Sequence, residues 1–128
     1  MTISRTPSLT LTVETGPSAV VVRVAGDLDY ESYDELVNAV GRQLAGWPAG
    51  EGTGGPELHL NFGRLGDIDS MGLSALLMIR RLTDTAGVGL RLDERPPTLQ
   101  RLLEVTGTLE HLTAPREQGR AGEGPGAG

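Results

Sequence analysis

From residue 9 the chain alternates, with Leu9, Leu11 and Val13 apolar and Thr10 and Thr12 polar between them. A two-residue period puts the apolar set on one face of a strand. The run AVVVRVAG, residues 19–26, is rich in β-branched side chains and predicts a second, more buried strand. Gly16-Pro17 between them is a turn signal, so the two are expected to form a hairpin. ELHLNF, residues 57–62, alternates again, with Leu58, Leu60 and Phe62 on one face, and VGLRL, residues 88–92, predicts another short strand. GRLGDI, which follows Phe62, looks turn-like.

Elsewhere the period lengthens. Leu36, Val40 and Leu44 recur every four residues with Val37 beside them, one stripe of a helix. Ser32 and Glu35 have capping-box spacing at its start, and Gly46 is expected to end it in the left-handed conformation. Leu73, Leu76, Leu77, Met78, Ile79 and Leu82 predict a helix apolar on most sides, packed against more than one neighbour, with Gly87 closing it. Pro97 suits the first turn of a last helix, where its missing N–H costs nothing. Leu99, Leu102 and Leu103 would face inward and Gly107 would end it. LEHLTAP after it predicts a final edge strand or turn. The order ββαβαβα implies an α/β fold, a mixed sheet of four or five strands with parallel pairing and helices packed on it.

Composition narrows the domain to residues 9–114. Of 128 residues, 19 are Gly and 8 Pro, and they cluster. Residues 115–128, PREQGRAGEGPGAG, have too little apolar area to offset the entropy of ordering, so a disordered tail is expected. Residues 46–56 read as a long loop and residues 1–8 as a loose N-terminus. The formal net charge is −6 with no basic cluster, which argues against a nucleic-acid partner. There is no cysteine, hence no disulfide or thiolate chemistry. No signal peptide and no stretch long enough for a bilayer are visible, so a cytoplasmic location without membrane insertion is the default.

Catalytic constellations are missing. His59 and His111 are far apart, His59 on the strand face opposite Leu58 and Leu60, and no nucleophile elbow or metal-ligand spacing is present. GTGG, residues 52–55, lacks the lysine and following helix of a phosphate loop. The expectation is no metal, no cofactor and no enzyme activity. The acids carry more. Asp27, Asp29, Glu31, Asp34 and Glu35 fall together without a basic residue, and Asp67 and Asp69 stand at another strand-to-helix junction. In an open parallel sheet such junctions lie on one edge, where partners bind. Acids near helix starts are also simply favourable with the helix dipole. A phospho-accepting aspartate with Mg²⁺ would want a nearby lysine, and the chain has none. Ser70, between Asp69 and an apolar helix, is either the helix N-cap or an exposed hydroxyl open to phosphorylation.

FGRLGDIDSMGLSALLMIRRL, residues 62–82, resembles the signature of the STAS domain, particularly of bacterial anti-sigma factor antagonists: Ile68, Asp69, Ser70, Gly72 and Leu73 match it. VRVAGDLDYESYDEL is similar to the family's second strand and its Gly-acid-Leu-Asp motif at Gly26 to Asp29, and the segment from Arg91 to Leu112 to its closing strand and helix. The resemblance implies a single STAS-like domain that binds an anti-sigma factor serine kinase. That kinase would use ATP to phosphorylate Ser70 and so release the antagonist, and a PP2C-type phosphatase would restore it. Asp27, Asp29, Asp67, Asp69, Met71 and Gly72 would shape or line the partner-binding surface. The sequence departs from the pattern at Met71, where the family has Ser or Thr, at Asp67, usually apolar or aromatic, and at Asn61, often Asp. The alternative is a STAS subunit of another complex, such as a lipid-transport ATPase, without a phosphorylation cycle.

Overall fold

The computed structural model describes residues 2–5, 9–46 and 57–114. The tail expected over 115–128 and most of the loop expected over 46–56 lie outside the described residues. Five strands form one sheet in chain order: β1 (Thr2–Arg5), β2 (Leu9–Thr15), β3 (Ala19–Leu28), β4 (Glu57–Ile68) and β5 (Gly89–Asp93). The first two junctions are antiparallel and the last two parallel. Parallel neighbours need crossovers. These are supplied by α1 (Tyr33–Ala45) between β3 and β4 and α2 (Ser70–Ala86) between β4 and β5. Two successive crossovers of one hand, in a sheet that grows in chain order, put both helices on the same face, and α1 and α2 do lie in contact. Helices α3 (Pro97–Thr106) and α4 (Leu109–Thr113) complete the chain.

Alternation decides what the sheet buries. Leu9, Leu11 and Val13 of β2, Val20, Val22 and Val24 of β3, and Leu58, Leu60 and Phe62 of β4 form one core cluster with Leu36 and Val40 of α1 and Leu76 and Ile79 of α2. Leu99 and Leu103 of α3 and Leu112 of α4 join the same cluster. The other sheet face carries Thr10, Thr12, Arg23, Asn61 and Arg91 and stays at least partly exposed. His59 lies on that face, its Nε2 2.9 Å from the Glu57 carboxylate and its Nδ1 3.5 Å from Asp93.

Several elements differ from the sequence reading. Residues 2–5, expected to be loose, pair with β2 as an edge strand, because the side of β2 away from β3 presents N–H and C=O groups that a further strand can pair. β4 does not stop at Phe62 but runs through GRLGDI to Ile68. LEHLT forms a short helix rather than a strand. Gly87 and Gly107 end their helices with φ of 75° and 73°, as expected, whereas Gly46 has φ −92° and no left-handed cap. Helix α2 buries one face, and Leu77, Met78 and Leu82 are only partly covered. Its Arg80 is buried: the guanidinium donates to Asp84 at 3.1 Å and to the Ala114 carbonyl at 2.7 Å, tying α2 to the end of α4.

Candidate functional site

The C-terminal ends of β3 and β4 meet over the start of α2. Leu28 pairs with Ile68 in the ladder, and the Leu28 carbonyl accepts the Asp69 N–H at 3.3 Å. The first turn of α2 presses on that carbonyl. A side chain at Gly72 would collide with Leu28 O and would stand 2.6 Å from Cγ1 of Ile68. Only glycine permits the approach. Gly72, grouped by sequence with the docking residues, is buried, and its missing side chain lets the helix seat on Leu28.

Asp69 is the N-cap of α2. Its backbone is extended (φ −118°, ψ −169°), and Oδ1 accepts the N–H groups of Met71 at 2.9 Å and Gly72 at 3.0 Å. Two of the four amides that a helix start leaves open are thereby satisfied. This corrects the reading of Ser70 as a cap: Ser70 is the first helical residue. It is exposed, and its hydroxyl has no hydrogen bond among the described residues.

The neighbouring loop is tied to the same edge. Asp27 Oδ1 accepts the Asp67 N–H at 2.9 Å, across 40 residues of sequence. The carboxylate lies so near Gly66 that a Cβ there would be 2.6 Å from it. Asp29 Oδ1 accepts from Glu31 N–H at 2.9 Å and Ser32 N–H at 3.3 Å, an Asx-type turn. Ser32 is 0% exposed, and its hydroxyl donates to the Asp27 carbonyl at 2.9 Å and accepts from Asp29 N–H at 3.0 Å. The expected capping box with Glu35 is absent. Ser32 is still the N-cap residue of α1, but its side chain is spent on the loop, and Glu35 instead faces Arg42 at 4.0 Å.

Asp27, Asp29, Asp67, Asp69 and Ser70 are thus brought onto one edge, and the sequence had grouped them. Met71 joins them, 39% exposed. Tyr30 was missed. It is 74% exposed in the β3–α1 loop, two residues beyond Leu28. Its signal was present: DLDYESYD carries two tyrosines among its acids, and Tyr30, unlike Tyr33, stands before the helix with no apolar periodicity to claim it. The edge offers acid charge, the exposed side chains of Tyr30 and Met71, and a Ser70 hydroxyl with no hydrogen bond among the described residues. Among the described residues no three His, Cys, Asp or Glu side chains group as a metal site, and no helix is long and apolar enough to cross a membrane.

The family model of the STAS domain matches residues 10–118. The chain belongs to the STAS domain family. Among solved structures, an anti-sigma factor antagonist from Mycobacterium paratuberculosis is 26% identical over 85% of this chain and 86% of that one, with a TM-score of 0.63. The antagonist SpoIIAA in its unphosphorylated form is 20% identical over 73% and 81%, with a TM-score of 0.57. A sulfate transporter family protein from Wolinella succinogenes is 20% identical over 80% and 79%, with a TM-score of 0.61. At 20% identity the last two speak for the STAS fold alone. No curated protein sequence matches the chain.

Proposed function

We propose that this STAS domain is an anti-sigma factor antagonist whose affinity for an anti-sigma factor kinase is switched at Ser70. The observation that carries the reading is the division of labour at the start of α2. Asp69 holds the helix, and the exposed Ser70 hydroxyl bonds to no described residue. The likeness to an antagonist over most of both chains supports the same class.

The chemistry needs little from this chain. The kinase binds the acidic edge and brings ATP. Ser70 Oγ bonds to the γ-phosphorus, the bond from that phosphorus to the β–γ bridging oxygen breaks, and ADP leaves. The hydroxyl proton passes to a base on the kinase. A phosphate adds a charge of about −1.5 to −2 beside Asp67 and Asp69. In an interface that excludes water, such repulsion costs several kcal/mol, which is sufficient to release the partner. A PP2C-type phosphatase then restores the hydroxyl by hydrolysis.

The test is incubation with the cognate anti-sigma factor and ATP, followed by mass mapping. One phosphate on Ser70, and binding by only the unmodified form, is the expected result. Phosphate confined to Ser32 or Ser74, or a stable complex with no phosphorylation, overturns the reading; the latter outcome points to a constitutive STAS subunit of a transport complex.

A further inference from the structure

The exposed face of the sheet, opposite the helices, has a groove that the switch at Ser70 does not use. Its position follows from a fault in the ladder. β3 and β4 pair Arg23 with Asn61, then Ala25 with Arg64, so two steps on β3 oppose three on β4. Leu58, Leu60 and Phe62 point into the core. A strict two-residue period would send Arg64 there as well. The bulge re-aims it: Leu65 takes the core position, and Arg64 stands exposed on the outer face.

A second irregularity meets the first. Glu94, just past β5, is the one described non-glycine residue with positive φ, at 54°. Its carboxylate lies over Gly63, with Oε1 2.7 Å from where a Cβ would be. Any larger residue at the bulge would push it away. Asn61 Oδ1 is occupied by the Gly63 N–H at 3.0 Å, while its NH₂ group bonds to no described residue. Thr10 and Thr12 of β2 add hydroxyls, and Arg23 stands beside them, bonded to Glu14 at 3.2 Å. Together Thr10, Thr12, Arg23, Asn61, Arg64 and Glu94 border a groove of about 530 Å³, within the range of small-ligand sites. Arg64 and Glu94 both face it, and neither forms an ion pair with a described residue.

A guanidinium and a carboxylate that pair with no described residue and border one groove, with amide and hydroxyl groups between, match a ligand carrying both charges. We propose that the groove binds a small zwitterion of the kind of a free α-amino acid, its carboxylate on Arg64 and its ammonium group on Glu94. Arg64 suits the carboxylate because its planar fork can donate two parallel bonds. The site is independent of Ser70.

The test is an amide NMR titration of the full chain with the individual protein amino acids at millimolar concentration. The expected result is saturable shifts at Thr10, Thr12, Gly63 and Arg64 with at least one of them. Arg64→Ala and Glu94→Gln should each weaken that binding at least tenfold, with Arg64→Gln as the second variant if Ala disturbs the strand. N-acetylation of the ligand should abolish binding. Four results overturn the proposal: no shifts with any amino acid, shifts that persist in both Arg64 variants, equal binding of the acetylated form, or a double-mutant cycle on unfolding in which Arg64 and Glu94 stabilise only each other.

Discussion

Asp69 and Ser70 are equally good N-caps by residue type, yet it is Asp69 that caps α2. What separates them is backbone angle, since only Asp69 has the extended conformation that aims an oxygen at the next amides. Asp69→Ala should therefore cost about 0.5–2 kcal/mol of stability, and Ser70→Ala no more than about 0.5 kcal/mol, as for a surface change that touches nothing. Urea unfolding of the two variants measures this, and a larger loss for Ser70→Ala would return the capping role to serine. Ser70→Asp should keep the fold yet bind the anti-sigma factor much more weakly than Ser70→Ala. Calorimetry at two salt concentrations checks the cause, because screening restores affinity lost to repulsion between exposed charges. Gly72→Ala belongs to the same scale. Its new methyl group would meet the Leu28 carbonyl, backbone that cannot swing aside. Overpacking of this kind costs about 1–3 kcal/mol, read as a fall in melting temperature.

Among elements, those with an apolar period of two or four were legible, and those shaped by side chains reaching across strands were not. β2, β3, α1, α2 and α3 follow from their stripes. The second half of β4 does not: GRLGDI has two glycines and two charged side chains, the local signature of a turn. It becomes strand because Asp27 reaches across to hold the Asp67 amide, and Gly66 leaves room for that carboxylate. Ser32 was misread for a similar reason. Its capping-box spacing is real, but the bonds from its hydroxyl go to a carbonyl and an amide of the preceding loop. Ser32→Ala would leave those part-buried groups short of a partner, at about 0.5–1.5 kcal/mol per bond. It should also loosen the proposed docking edge while leaving Ser70 chemically intact. Amide exchange at Asp29 and Glu31 tests this: unchanged protection in the variant would mean the hydroxyl does not hold the loop.

For the whole molecule, the alternation of β–α units was enough to give the mixed sheet and the face its helices cover, since few topologies satisfy the crossover rules. Strand β1 escaped because TISR has no apolar stripe of its own and exists by pairing with β2. Deletion of residues 115–128 should leave the melting temperature and anti-sigma affinity unchanged, because their composition offers no apolar stripe to bury. A drop in either would show that the segment docks. The cap at Asp69 has one more consequence, which concerns linkage. Because the Ser70 hydroxyl bonds to no described residue, a phosphate on its oxygen acts on the isolated domain through two opposed terms, attraction to the helix dipole of about 0.3–1 kcal/mol and solvent-screened repulsion from exposed Asp67 and Asp69. The modified and unmodified chains should then unfold at nearly the same denaturant concentration and be cut by proteases at nearly the same rate. On the proposed function, abundance and signal would be uncoupled, and a cell could cycle this domain many times between its two forms without shortening its life.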